Sequence, residues 1–398
     1  MRRFFSMTCL LAIAGLVGCE KPMVDPMERL LVSPNEAQSL GYRIHWQSDL
    51  GTSDGRIGTN TMKFVRVLGD VVVVVEKNNL ITVFDAYSGR VRWREIVGAS
   101  LERLRPPERF QNMLVLSSET RVYAFNVEDG DPISEADLET VVNTGPLVDR
   151  NLAVFGTPKG RLVAQDLKAG YVRWRYQMRE SVVNTPQLIS SLKAVATDVV
   201  GGVVLINPLS GQLLWRNRTW GRILAPAAFM EGLIFVASED QTLYAFEAST
   251  GRIQWKYLTQ EPLRTAPSVF KDQLFQFVPN EGIVVLDAFT GKERWRKSDF
   301  KKKPFFLENR RLYFHRYPWI ERLEEKIGEQ NDRILLPKVH MVIPSDPIDG
   351  ELYVVNQDGR ILKLSKKAPP TTEEDEAERL MREIQKEQEL MRRELERE

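Results

Sequence analysis

The sequence predicts an all-β protein: an eight-bladed β-propeller with four antiparallel strands per blade, a ring closed by an N-terminal strand, and a C-terminal α-helical tail. Glycine, tryptophan and proline each recur about every 40 residues in the 398-residue chain, and these three series carry the prediction. Four short strands within one repeat of this length are typical of a propeller blade. The strand-like runs alternate with period 2 and are rich in β-branched and aromatic residues, which excludes a solenoid of helix pairs.

The glycine series marks the turn before the last strand of each repeat, where glycine readily supplies a positive φ. Successive glycines are 41, 40, 41, 40 and 40 residues apart, at Gly89, Gly130, Gly170, Gly211, Gly251 and Gly291. A tryptophan follows most of these turns, at Trp93, Trp174, Trp215, Trp255 and Trp295. One repeat lacks it, near Ile133. We interpret these tryptophans, with Trp46, as structural residues that pack against the next blade, rather than as a binding or redox set.

The clearest repeat predicts the four strands of one blade at Ile223–Phe229, Leu233–Ala237, Thr242–Glu247 and Arg252–Tyr257. Polar turns that contain Asp, Asn or Gly separate such runs, as hairpins require. The third series consists of prolines, at Pro146, Pro186, Pro226 and Pro267. We expect them on the innermost edge strand of each blade, because proline cannot donate a ladder hydrogen bond.

The two ends of the repeat region predict how the ring closes. Tyr42–Trp46 resembles a last strand with no blade before it, and Arg360–Leu364 resembles an inner strand with no partner after it. Pairing the two would close the ring and remove its free edges. The count is then eight blades over residues 42–365, with a degenerate last strand near Ile334. Seven blades are the alternative, because the blade at Pro304–Pro337 is weakly marked.

Residues 1–18 are predicted to be a lipoprotein signal peptide. Basic residues precede a short apolar stretch, Met7–Val17, which is too short to span a bilayer as a helix. The stretch ends in Leu-Val-Gly-Cys, which resembles a bacterial lipobox, so Cys19 is the predicted lipidation site. An ordinary secretory signal is the alternative. Glu20, where an Asp would retain the protein in the inner membrane, favours the periplasmic face of the outer membrane by resemblance to the enterobacterial sorting rule. Residues 19–41 are predicted to be a lipid-anchored linker.

The charge and the cysteine count exclude several kinds of function. A formal net charge of +1 provides no overall field for nucleic acid. The basic run Lys301–Lys303 is predicted to be a solvated turn between strands. The two cysteines lie within the first twenty residues, so the body has no disulfide, and the three histidines show no zinc or iron spacing. We therefore assign no catalytic residue, no metal ligand and no cofactor.

The repeat resembles a known family. The segments Asp85–Trp93, Glu247–Trp255 and Asp287–Trp295 resemble the PQQ-like, quinoprotein-type propeller repeat, which covers residues 42–365. For quinoprotein dehydrogenases the resemblance would imply a Ca²⁺ site, a catalytic Asp and a disulfide between adjacent cysteines, but the body has no cysteine. The BamB lipoproteins are more similar in length and lipobox. That resemblance implies no enzyme and no cofactor, docking onto the periplasmic domains of an outer-membrane β-barrel assembly protein, and a scaffold role. A propeller adaptor for another envelope complex is the alternative.

Residues 366–398 are predicted to form a charged C-terminal helix, whereas BamB-like proteins typically end near the last blade. Two prolines end the sheet, and Thr372 with Asp375 resembles a helix N-cap. A heptad seam follows, at Ala377, Met381, Ile384, Gln388, Met391 and Leu395. The segment Thr372–Glu398 is either a solvated helix or a coiled-coil helix for a helical partner or for self-association.

Overall fold

The computed structural model describes residues 30–50, 62–99, 101–357 and 359–366. Within these ranges the chain forms 32 β-strands and one short α-helix. The strands make eight separate four-stranded sheets, and neighbouring strands within each sheet pair antiparallel. The predicted eight-bladed propeller is therefore confirmed.

Blades 1 to 4 each contain four consecutive strands, ordered from the axis outward. Blade 1 consists of β2 (Met62–Leu68), β3 (Val71–Glu76), β4 (Leu80–Asp85) and β5 (Val91–Ile96). Blade 2 consists of β6 (Glu108–Phe110), β7 (Met113–Ser117), β8 (Arg121–Asn126) and β9 (Pro132–Asp137). Blade 3 consists of β10 (Leu147–Asp149), β11 (Leu152–Gly156), β12 (Arg161–Asp166) and β13 (Val172–Gln177). Blade 4 consists of β14 (Gln187–Ser190), β15 (Lys193–Thr197), β16 (Gly202–Ile206) and β17 (Leu213–Arg218).

Blades 5 to 7 repeat this order, and blade 8 takes its outermost strand from the N-terminal side of the chain. Blade 5 consists of β18 (Ala228–Met230), β19 (Leu233–Ala237), β20 (Thr242–Glu247) and β21 (Ile253–Leu258). Blade 6 consists of β22 (Ser268–Phe270), β23 (Gln273–Val278), β24 (Gly282–Asp287) and β25 (Glu293–Lys297). Blade 7 consists of β26 (Phe306–Glu308), β27 (Arg311–Arg316), β28 (Trp319–Glu324) and β29 (Gln330–Leu335). Blade 8 consists of β30 (Met341–Pro344), β31 (Leu352–Val355), β32 (Arg360–Ser365) and β1 (Arg43–Asp49). The weakly marked blade at Pro304–Pro337 is thus complete.

Strand β1 closes the ring by pairing with β32, from Arg43 opposite Ser365 to Asp49 opposite Arg360. Lys363 of β32 is only 2% exposed, and its ammonium lies 2.6 Å from a carboxylate oxygen of Glu351. The same ammonium donates a hydrogen bond of 2.9 Å to a main-chain carbonyl of blade 1. The predicted closure is confirmed, and a buried cation ties it to the first blade.

The second strand of blade 1 shows why some strands have no alternating pattern. Val71–Val75 are all 0% exposed. Successive side chains on a strand point to opposite faces of the sheet. Val72 and Val74 therefore pack with Trp46 of blade 8, whereas the other three valines pack with Leu114 of blade 2. A run of apolar residues is the result of burial on both sides.

The antiparallel order of strands separates two kinds of connection. Turns between the first and second strands and between the third and fourth strands lie on one face, which we call the turn face. Turns between the second and third strands and the connections between blades lie on the opposite face, which we call the loop face. The periodic glycines belong to the turn face, and the periodic prolines belong to the loop face.

The prolines lie beside the innermost strands and not within them, so their predicted position is wrong by one or two residues. Pro146, Pro186 and Pro267 immediately precede β10, β14 and β22, and Pro226 lies two residues before β18. The innermost strand of blade 5 has three residues, and the first part of the predicted strand Ile223–Phe229 is connection. Proline fits there because the residue before a strand need not donate to its ladder.

Six tryptophans join neighbouring blades through one repeated contact. The indole Nε1 of each donates to a main-chain carbonyl of the next blade, over 2.8–3.2 Å. Each indole also covers a turn glycine so closely that a Cβ added there would lie less than 3.0 Å from the ring. The pairs are Trp46–Gly89, Trp93–Gly130, Trp174–Gly211, Trp215–Gly251, Trp255–Gly291 and Trp295–Gly328. Gly328 extends the predicted glycine series by one member.

The junction between blades 2 and 3 lacks this contact. Ser134, not Ile133, takes the tryptophan position, because it pairs with Ala124 just before the β-bulge that every outermost strand carries. Gly170 keeps a positive φ of 72°, yet the nearest atom to a Cβ added there is one methyl carbon at 4.0 Å. The glycine is exposed to solvent. No indole covers the turn glycine at this junction.

The junction between blades 7 and 8 is closed by polar groups instead. Asp332, not Ile334, takes the tryptophan position and forms an ion pair with Arg322. Glu308, 4% exposed, accepts hydrogen bonds from the hydroxyl groups of Tyr42 at 2.9 Å and Tyr313 at 3.0 Å. Of these contacts, the hydrogen bond from Tyr42 joins blade 8 to blade 7, and the other two lie within blade 7.

Helix α1 (Pro34–Leu40) lies in the segment predicted to be a linker. The Ser33 hydroxyl accepts from Glu36 N at 3.3 Å, and the Glu36 carboxylate accepts from Ser33 N at 2.6 Å, which is a capping box. Gly41, at φ 87°, ends the helix. The helix packs against β1 and β29, and Leu40 is 1% exposed. The described end of the predicted linker is therefore folded, and residues 19–29 lie outside the described ranges.

Candidate interaction face and axial cavity

The residues singled out from the sequence are distributed around the ring and do not form one site. The periodic tryptophans lie at six different blade junctions, and Gly170 lies at a seventh, between blades 2 and 3. Trp46, Trp93, Trp215 and Trp255 are 8–9% exposed, so little of these side chains is available to a ligand. Cys19 and the C-terminal segment Thr372–Glu398 lie outside the described residues.

The loop face of blades 3 to 5 exposes a set of large apolar side chains, which we call the loop-face patch. Two connections between blades, one turn and one strand end of blades 3 to 5 contribute one residue each. Their exposed fractions are 39%, 40%, 78% and 72%, for Val183, Val200, Trp220 and Leu258 respectively. Large apolar side chains exposed on one face of a soluble protein are candidates for contact with a partner.

The half-buried carboxylate of Asp240 binds the loop that carries Trp220. Asp240, in the turn between β19 and β20, accepts hydrogen bonds from Trp220 N at 2.9 Å and Gly221 N at 3.0 Å. It also accepts one from the Tyr244 hydroxyl at 2.6 Å. Burial and the adjacent Asp240 raise the pKa of Tyr244 to about 12, so this hydroxyl stays a donor at physiological pH. The backbone that carries the exposed indole is therefore fixed by the Asp240 carboxylate.

A groove of about 290 Å³ adjoins the patch between blades 3 and 4. Met178 and Val200 contribute apolar surface to it, and Arg216 and Arg218 contribute positive charge. The Arg218 guanidinium also lies 5.7 Å from the centroid of the Trp220 ring, in a cation–π contact. The groove and the patch together combine apolar and basic surface suited to a protein partner.

A second candidate site is the axial cavity, about 720 Å³ in volume, which the innermost strands of blades 4 to 8 surround. Lys301, Lys302 and Lys303 border it from the connection between blades 6 and 7. The run is a turn between strands, as predicted, but Lys303 is half-buried. Burial lowers the pKa of the Lys303 ammonium. Burial, together with Lys302 nearby, also lowers the pKa of His315, which lines the same cavity.

No three His, Cys, Asp or Glu side chains among the described residues lie close enough together to hold a metal ion. Nor does any helix there have the length and apolar character needed to cross a bilayer.

One residue of the loop-face patch could have been noticed in the sequence, because it does not fit the repeat. Trp220 follows the periodic Trp215 by only five residues and so belongs to no junction. A tryptophan that breaks a structural series is a candidate for exposure. The axial lysines gave no comparable signal, because which side of a connection faces the axis follows only from the ring.

The fold and its surfaces define a class of protein: an eight-bladed propeller whose repeat residues hold the ring and whose loop face and axis offer binding surface. A family model described as outer membrane protein assembly factor BamB matches residues 43–185 and 199–311. Because this match covers more than half of the chain, the protein belongs to the BamB family.

Similar proteins named outer membrane protein assembly factor BamB occur in several bacteria. The Nitrosomonas eutropha protein is 25% identical over 158 residues, which cover 38% of this chain and 38% of that protein. The Burkholderia pseudomallei protein is 23% identical over 264 residues, covering 59% and 65%. The Bordetella pertussis protein is 24% identical over 249 residues, covering 59% and 54%. The matches thus span less than two thirds of the length of each of these relatives.

Solved structures agree with the fold. The crystal structure of BamB from Moraxella catarrhalis superposes with a TM-score of 0.64 at 13% identity, over 81% of this chain and 97% of that one. Sqt1 of Saccharomyces cerevisiae gives 0.61 at 11% identity, over 81% and 98%. The computationally designed Ika8 protein gives 0.60 at 16% identity, over 80% and 99%. At such identities these likenesses concern the propeller fold alone.

Proposed function

We propose that this protein is a non-catalytic outer-membrane lipoprotein that acts as a protein–protein interaction scaffold in the assembly of outer-membrane β-barrel proteins. It docks through the loop-face patch onto the periplasmic domains of an outer-membrane β-barrel assembly protein. Membership of the BamB family supports a role in the assembly of outer-membrane proteins. The observation that carries the docking face is the exposed Trp220, held in place by Asp240.

The chemistry of the patch supports a protein partner. Tryptophan and arginine are the residues most often found at the energetic centre of protein interfaces. Trp220 and Arg218 provide both in direct contact, and the neighbouring groove would accept a small apolar side chain. An indole that is 78% exposed in the isolated protein gains most when a partner removes it from water.

The test is the substitution Trp220→Ala in the full-length protein, followed by crosslinking and purification from membranes. We expect recovery of the barrel-assembly protein to fall by about tenfold or more, as for a central interface tryptophan. The matched control is Phe289→Ala, which removes an aromatic side chain that is 39% exposed on the turn face. Equal recovery of the barrel-assembly protein with both variants would remove the loop-face patch from the proposal.

The membrane anchor is a separate part of the proposal. Lipidation of Cys19 supports outer-membrane attachment, since acyl chains contribute about 0.8 kcal/mol per buried methylene. We expect Cys19→Ser to release the protein into the soluble periplasmic fraction. A variant that still sediments with outer membranes would contradict lipid anchoring.

The C-terminal segment Thr372–Glu398 is proposed to be a helix for a helical partner or for self-association. Its heptad seam supports this role. Deletion of residues 368–398 is expected to change either the oligomeric state, measured by light scattering, or the set of crosslinked partners. If neither changes, the segment is a solvated extension.

The enzyme alternative can be tested directly. Incubation with PQQ and Ca²⁺ is expected to give no dye-linked alcohol oxidation, because the proposed scaffold role uses no quinone. Turnover that a chelator abolishes would overturn the scaffold proposal in favour of a quinoprotein dehydrogenase.

A further inference from the structure

The axial cavity carries a charge that the described protein does not neutralise. Its lining includes Lys301, Lys302 and Lys303 and contains no Asp or Glu. None of the three ammonium groups forms an ion pair with a described residue. Basic residues of the turn face behave differently: Arg92 pairs with three carboxylates, and Arg294 with two. The lysines are thus free to meet an anion from outside.

The rest of the wall is apolar and contains hydrogen-bond acceptors. Phe229, 45% exposed, and Phe305 face the same space, together with Pro304. The side-chain oxygen of Gln187 and Nε2 of His315 are buried and have no hydrogen-bond partner within the described part of the chain. Burial lowers the pKa of His315, and the ring hydrogen-bonds the Val339 backbone through its other nitrogen, which leaves Nε2 as the acceptor of the neutral ring. A ligand that fits this wall has negative charge, apolar surface and N–H donors.

From this combination we infer that the axial cavity is a binding site for an acidic peptide segment that also carries aromatic or aliphatic side chains. Carboxylates would meet Lys301–Lys303, apolar side chains would lie against Phe229 and Phe305, and peptide N–H groups would reach the unpartnered acceptors. Inorganic phosphate has neither apolar surface nor comparable donors. The cavity volume of about 720 Å³ lies within the range of about 300–1,000 Å³ typical of ligand pockets. This site does not depend on the proposed docking through Trp220.

The probe is a fluorescein-labelled peptide of alternating glutamate and phenylalanine, followed by fluorescence anisotropy with the full-length protein. We expect saturable binding that the triple variant Lys301→Ala, Lys302→Ala, Lys303→Ala weakens by about tenfold, because three ion pairs are lost. Lys303→Met alone, which keeps the half-buried stem, should weaken binding less and guards against a folding defect in the triple variant.

The matched control removes three other lysines with the same change in net charge. Lys168, Lys292 and Lys326 are exposed on the turn face and form no ion pair with a described residue. Their replacement by Ala should leave the affinity for the peptide unchanged. Equal weakening by both triple variants would mean that only the overall charge matters, and would overturn the site.

Two competitors test the class of ligand. The same peptide with glutamine in place of glutamate should bind about tenfold more weakly or not at all, since the carboxylates are lost. Inorganic phosphate at an equal concentration should not displace the labelled peptide. Tight binding of the glutamine peptide would overturn the role of the lysines, and displacement by phosphate would replace the peptide with a simple anion site.

Discussion

The junction between blades 5 and 6 and the junction between blades 2 and 3 have the same turn backbone. Only the first has a tryptophan that covers its turn glycine. Gly291 and Gly170 turn at φ 70° and 72°, each at the same place in the turn between the third and fourth strands. Trp255 covers the first glycine and donates to Ala288 O at 3.0 Å. Ser134 stands in its place at the second.

The turn and the tryptophan that covers it are therefore separable features of a junction. The positive φ of the glycine is required by the turn itself, since it persists where no indole covers it. The absence of a Cβ is required only where the indole lies on top. A third arrangement, at blades 7 and 8, has no tryptophan and joins the two blades through the hydrogen bond from Tyr42 to Glu308, which Tyr313 of blade 7 also contacts. Ring closure therefore tolerates several solutions at individual junctions.

The largest expected effect on stability comes from removing a tryptophan from a blade junction. Trp255→Ala should lower the free energy of unfolding by about 3–5 kcal/mol, because it leaves a cavity between blades and an unpaired carbonyl at Ala288. Ser134→Ala, at the junction between blades 2 and 3, should change it by less than about 0.5 kcal/mol. Urea unfolding followed by fluorescence and circular dichroism measures both. Similar losses for the two variants would mean that the tryptophan does not stabilise its junction.

Adding one methyl group separates the two roles of glycine. Gly251→Ala places a Cβ about 2.5 Å from the Trp215 ring and also strains a backbone at φ 74°. Gly170→Ala has the same strain at φ 72° with open space above it. We expect Gly170→Ala to lower the free energy of unfolding by about 1–2 kcal/mol, and Gly251→Ala to lower it by about 1–3 kcal/mol more. Equal midpoints of urea unfolding would show that the indole moves aside without cost.

The junction between blades 2 and 3 should accept the tryptophan that it lacks. Ser134→Trp is expected to raise the free energy of unfolding by about 0.5–2 kcal/mol, because an indole there can cover Gly170 as its counterparts do. The Ser134 hydroxyl oxygen has no hydrogen-bond partner among the described residues, so its loss removes no bond seen there. Ser134→Phe is the control, since it fills space but has no N–H to donate. A loss of stability in both variants would show that blades 2 and 3 have closed up.

The polar junction should be sensitive to alkali. Burial, with Glu308 nearby, raises the pKa of Tyr313 to about 12 from 10.0. The stability from this group is therefore complete below pH 10 and is lost as pH rises towards 12. Tyr313→Phe should cost about 1 kcal/mol at neutral pH and flatten the fall in stability above pH 10. Tyr317→Phe, at an exposed tyrosine, should change neither; an unaltered alkaline slope in Tyr313→Phe would contradict the assignment.

Much of the ring could be predicted from the sequence because each blade repeats the same local chemistry. Period, strand alternation and the unmatched end strands led to eight blades and to the closing pair β1–β32. The innermost strands were predicted less well, because three residues such as Ala228–Met230 are too few to show a pattern. Helix α1 was missed although Ser33 and Glu36 form a capping box, since three nearby prolines suggested an extended linker.

The binding surfaces were predicted poorly for a physical reason. A repeat pattern identifies the residues that stabilise each blade. Which side chains are exposed depends instead on how the blades are arranged around the axis. Trp220 could have been noticed as a tryptophan outside the series. The lysines at Lys301–Lys303 read as an ordinary solvated turn, and only the ring places them beside a cavity.

The pairing of Arg43 with Ser365 has a consequence for orientation. Strand β1 begins and strand β32 ends side by side on the turn face, opposite the loop face that carries Trp220 and Lys301–Lys303. A force on Arg43 directed along β1, with the rest of blade 8 held, would shear the hydrogen bonds of the β1–β32 ladder together. A force that draws Arg43 away from Ser365 would instead open those bonds one at a time from that end. The resistance of the closed ring therefore depends on the direction of the load.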